Sequence, residues 1–67
     1  MSVAKITEIS STSTKGFEDA ILQGIQRASR TLEGISGAWV NEMKVDIENG
    51  KITNFRVNLR VTFVLND

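Results

Sequence analysis

Asn54-Phe55-Arg56-Val57-Asn58-Leu59-Arg60-Val61-Thr62-Phe63-Val64-Leu65 alternates large apolar and mostly polar side chains without a break. A period of two is the signature of a strand with one face on a core. The odd positions, Phe55 to Leu65, are the core face. Arg56, Asn58, Arg60 and Thr62 are the polar face. A long proline-free strand of this kind is central in its sheet. The segment Lys51–Leu65 is therefore read as the third and middle strand.

Upstream, Asn49-Gly50 marks a hairpin. A two-residue loop sets odd positions of one strand beside even positions of the other. A three-residue loop, Glu48-Asn49-Gly50, restores odd beside odd, with Gly50 at positive φ. The second is expected. Trp39–Ile47 is then the second strand. Straight alternation there buries Asn41, at a cost of about 1–3 kcal/mol if it lacks partners. A β-bulge at Asn41-Glu42 removes that cost. It turns Ala38 and Val40 inward, turns Trp39 onto the polar face shared with Arg56, and brings Glu42 into pairing with Arg56.

Between Thr14 and Glu33 the period changes. Phe17, Ala20, Ile21, Gly24, Ile25, Ala28 and Leu32 fall on one helical stripe. Ser13 is read as the N-cap. Gly34 is read as the left-handed residue closing the helix, and Gly34-Ile35-Ser36-Gly37 as the turn to the next strand. Gly24 on the stripe implies close approach of helix to sheet. Val3–Ser10 is read as the first strand, and Ser10-Ser11-Thr12-Ser13-Thr14 as a polar connector. The architecture expected is α+β: a β-α-β-β subunit spanning 1–67 as one domain, with an antiparallel sheet in the order 1-3-2 wrapped around one helix.

Sixty-seven residues bury a small core. With no cysteine and no histidine, disulfides, zinc fingers and Ser-His-Asp chemistry are excluded, and oligomerisation is the remaining support. A third strand of about fifteen residues spans roughly 50 Å. A helix of about nineteen spans roughly 29 Å. Val61, Phe63 and Leu65 are therefore expected to need a second copy as cover. Eight basic residues balance eight acidic ones, so neither nucleic acid nor membrane is an expected partner. The first residues lack a signal peptide's apolar run, and a cytoplasmic protein is expected. No catalytic constellation stands out, and no enzyme is expected. Asp46 and Glu48 share a strand face and offer a weak cation signal. Trp39, facing outward beside Arg56, Asn58 and Arg60, needs a cover: a subunit interface or a flat ligand stacked on the indole.

The chain resembles the dodecins. The carriers are Val3-Ala4-Lys5-Ile6-Thr7-Glu8-Ile9, Ser11-Thr12-Ser13, Phe17-Glu18-Asp19-Ala20-Ile21, Arg27-Ala28-Ser29-Arg30-Thr31-Leu32, and Phe55 through Phe63. The resemblance implies twelve subunits in a hollow cage that binds flavin (riboflavin or FMN) non-covalently, for storage or protection against light. It also implies a tryptophan platform at the start of strand two and a glutamine in strand three. These positions fall on Gly37 and Arg56, with Trp39 two residues beyond the first and Asn58 two beyond the second. Arginine has no acceptor for a flavin ring N–H, so flavin affinity below that of the family pattern is expected. A dodecin-like branch without the standard flavin residues, some of it linked to metal ions, is the alternative; no metal-ligating residues are assigned.

Overall fold

The computed structural model describes residues 3–65. Its elements run β1 (Ala4–Ser13), α1 (Phe17–Ala28), β2 (Ile35–Glu48) and β3 (Lys51–Val64). The sheet order is β1-β3-β2, both pairings antiparallel. The β-α-β-β topology and the central place of the alternating strand are as expected.

The first strand runs further than its sequence suggests. Ser11, Thr12 and Ser13 continue the ladder against Val57, Arg56 and Phe55, so the polar connector is strand. Main-chain pairing does not require apolar side chains, and small ones serve a purpose here. A Cβ on Gly24 would stand 3.0 Å from Ser11 Cβ and 3.3 Å from Leu59 Cδ1. A serine below and a glycine above let the helix settle onto the sheet.

The longer strand shortens the helix. Ser13 lies in the ladder and does not cap it; the N-cap is Gly16, with no side-chain cap bond. The Ser13 hydroxyl instead accepts from the Lys15 N–H at 2.9 Å and donates to Asp19 at 2.5 Å. At the other end, the hydroxyls of Ser29 and Thr31 donate back to the carbonyls of Ile25 and Ala28. Such bonds compete with helix continuation. Gly34 does take positive φ (75°), but six residues past the helix, where its carbonyl accepts from Val64 N–H at 3.0 Å. The chain is already strand at Ile35, so the expected turn from Gly34 to Gly37 is replaced by β2.

The hairpin also corrects an expectation. Glu48 pairs with Lys51 across a two-residue turn, with Asn49 at φ 51° and Gly50 at φ 76°. Positive φ at both centres suits strand twist, and Asn-Gly is the pair that tolerates it. Odd beside odd is restored one step later, by a bulge at Thr53, and Val45 faces Phe55.

The core is Ala20, Val57, Leu59 and Val61, with Ile9, Phe17, Ile21, Ile25 and Ile35 packed around it. Phe17 meets Phe55 edge to face, ring centroids 5.1 Å apart. Val61 is buried by its own helix, so the need for cover at that end does not extend to it. The uncovered apolar surface lies sideways. The helix packs over β1 and β3, and the helix-side residues of β2 and the hairpin, Val40, Met43, Ile47 and Ile52, are exposed.

Candidate functional site

The face of the sheet turned away from the helix carries the candidate residues. The even positions of β3, from Asn54 to Thr62, form its central row. Glu8 and Ser10 of β1 flank them on one side. Gly37, Trp39, Glu42, Lys44 and Asp46 of β2 flank them on the other.

Two bulges in β2 put Trp39 there. One lies between Val40 and Glu42, as the burial conflict at Asn41 requires. A second lies between Ile35 and Gly37. The sequence reading missed it, although a serine followed by a glycine inside a strand is the kind of signal that marks one. Together they let Ile35 reach the core edge and Val40 stay on the helix side, with Trp39 between them facing outward. Trp39 is 67% exposed. The Arg60 guanidinium lies over its ring, 5.7 Å from the centroid, within cation–π range.

Arg56 is placed differently from expectation. It faces Lys44, while Glu42 faces Asn58. The ion pair is made to Asp46, Arg56 Nε to Asp46 Oδ2 at 2.8 Å. Glu42 and Asp46 are the two diagonal neighbours of Arg56, one on each side of Lys44, and the side chain takes the Asp46 carboxylate. Ser10, Glu42, Lys44, Arg56, Val57 and Asn58 line a hollow of about 290 Å³.

The four candidates thus share a face, but not one spot. Arg56 and Asn58 line the hollow. Trp39 is opposite Arg60, four residues from Arg56 along β3 and so roughly 13 Å away. Gly37 is opposite Thr62, roughly 20 Å from Arg56 on the same count. The space where a Gly37 side chain would project is open to 4 Å. Among the described residues no three carboxylates come together as a cation site; Asp46 is engaged by Arg56. A larger recess, about 500 Å³, lies between α1 and the free edge of β1, lined by residues such as Ile9, Ser11, Gly24 and Arg27. No candidate from the sequence falls in it.

One titratable group departs clearly from its ordinary range. The Ser13 hydroxyl, donating to Asp19, lowers that carboxyl's pKa; Gln23 and Lys15 add to this, and slight burial opposes it.

The family model for dodecin matches residues 3–66. Calcium dodecin from Mycobacterium tuberculosis is 38% identical over 64 residues, 94% of this chain and 89% of that protein. Among solved structures, dodecin from Streptomyces davaonensis superposes with a TM-score of 0.93 at 33% identity, covering 98% of this chain and 97% of that one. The calcium-chelating antigen calcium dodecin from Mycobacterium tuberculosis, described with a novel calcium-binding site, superposes at 0.82 with 32% identity, covering 96% and 91%.

Proposed function

This chain belongs to the dodecin family, and on that premise we propose that it is a non-enzymatic binding and storage protein, a cytoplasmic hollow homododecamer of single-domain subunits whose ligand is a flavin, riboflavin or FMN. The observation that carries the ligand reading is the exposed Trp39 on the outward face. A bare indole of that size invites a flat ring. Self-assembly is supported by the apolar row along β2 and the hairpin, which its own helix leaves bare. Exposed rows of this kind mark interaction surfaces.

Binding is weaker than in relatives that carry the tryptophan and glutamine. Gly37 offers no platform, and Arg56 is tied to Asp46. A lost matched polar contact costs about 1–3 kcal/mol, and a lost stacking partner about 0.5–1.5 kcal/mol. Together these amount to roughly tenfold to a thousandfold or more in affinity.

Titration of riboflavin or FMN while following flavin fluorescence tests this. Quenching in the native protein that disappears in Trp39→Ala supports the reading. Gly37→Trp with Arg56→Gln should tighten binding, since a side chain at Gly37 has open space. A flavin-free assembly with a structural or metal-ion role is the second reading, favoured by the likeness to calcium dodecin. A cation would then be held by carboxylates from several copies, because six to eight oxygens are needed. Calcium-binding heat without flavin quenching selects it.

A further inference from the structure

We propose that Arg60 sets the specificity of the Trp39 site, favouring flat aromatic ligands that carry a negative charge over neutral ones with the same ring. The inference rests on the flavin reading above and deepens it.

Arg60 stands in the central strand with a choice of neighbours. Glu8 of β1 is its direct partner on one side, and Trp39 of β2 on the other. The guanidinium lies over the indole. Among the described residues the ion pair on this sheet is Arg56 with Asp46, and Arg60 makes none. Its charge is therefore not neutralised by a bonded carboxylate, although it is the cation nearest the platform. Arg56, by contrast, is engaged by Asp46.

This placement has two consequences. A ring stacking on the indole face that Arg60 covers must displace the guanidinium or slide beneath it, and either move leaves the guanidinium at the ligand's rim. Five N–H donors in a planar fork fit a carboxylate or phosphate there better than any neutral group. Glu8 and Glu42, across the strands from Arg60 and Asn58, oppose an anion on this end of the face and keep the advantage that Arg60 gives it modest.

FMN and riboflavin have the same ring and differ by a phosphate. Titration of each into the native protein, Arg60→Gln and Arg60→Lys, at low and high salt, reads the contribution directly. FMN should bind the native protein about three- to tenfold tighter than riboflavin, with the advantage shrinking at high salt. It should vanish in Arg60→Gln and partly persist in Arg60→Lys. Equal binding of the two by the native protein overturns the proposal and leaves the flavin reading standing. An FMN advantage that survives in Arg60→Gln also overturns it, and places phosphate recognition elsewhere. Binding of neither flavin overturns both.

Discussion

Strands β2 and β3 lie side by side and share a helix-facing side, yet only one is buried. Val57 and Leu59 of β3 are 1% and 0% exposed; their partners Met43 and Val40 are 55% and 37% exposed. Hydrophobicity does not explain the difference, since all four are apolar. Position does. The helix is 12 residues long, roughly 18 Å, and lies over β1 and β3 in a molecule 52 Å long. It is too short and too narrow to shelter the outer strand as well. The same apolar pattern therefore makes a core in β3 and a bare apolar row in β2.

The widest gap between the two strands should come from a charge on that common side. Val61→Asp places an unpaired carboxylate in a site with no exposure, and the cost exceeds what a small domain can absorb. Circular dichroism should show no folded protein. Met43→Asp, on the same side but in β2, should keep the far-UV spectrum, while light scattering falls from the proposed twelve-subunit mass to that of small species. If Met43→Asp leaves the mass unchanged, the bare face of β2 is not the interface.

Two glycines sharpen the contrast between the covered and the open side of the sheet. Gly24→Ala forces a methyl against Ser11 and Leu59. Overpacking of about 1–3 kcal/mol outweighs a helix gain of about 1 kcal/mol. Tm should drop by about 4–8 °C per net kcal/mol. Gly37→Ala meets nothing within 4 Å, and its Tm should stay within about 3 °C of the native value. Equal losses from both would contradict the close packing under α1.

A smaller effect is expected at the outward ion pair. Arg56→Ala removes a bond between half-exposed groups, and pairs of this kind contribute at most about 1 kcal/mol. Chemical denaturation should show a shift no larger than that.

The smallest effect is a pH dependence. Asp19 has a lowered pKa in the folded chain, chiefly because the Ser13 hydroxyl donates to it. A depressed folded value stabilises above the unfolded pKa, and that stability is lost as pH falls through the folded value. Stability measured from pH 6 downward should decline through the acidic range below the ordinary carboxylate pKa of 3.8. Asp19→Asn or Ser13→Ala should flatten that part of the curve. An unchanged slope would remove Asp19 from the account.

Legibility in the sequence followed how local each signal was. The alternation from Asn54 to Leu65, the helical stripe, the close approach at Gly24, and the conflict at Asn41 could each be read from neighbouring residues. The conflict at Asn41 was enough to turn Trp39 outward. The Asn-Gly turn was legible too, but parity alone selected the wrong loop, because nothing local announced the compensating bulge at Thr53. Ser13 looked like a cap because the ladder that recruits it comes from β3, more than forty residues away in the chain.

Alternation and stripe thus determined the element types, the strand order and the polar face, since backbone periodicity is written into adjacent side chains. Only the tertiary structure decided that Arg56 joins Asp46, that Arg60 leans on Trp39 rather than Glu8, and which apolar row stays bare. Those outcomes depend on bulges, twist and the lateral seat of one short helix. Such quantities accumulate across strands and leave no mark on any single stretch of sequence.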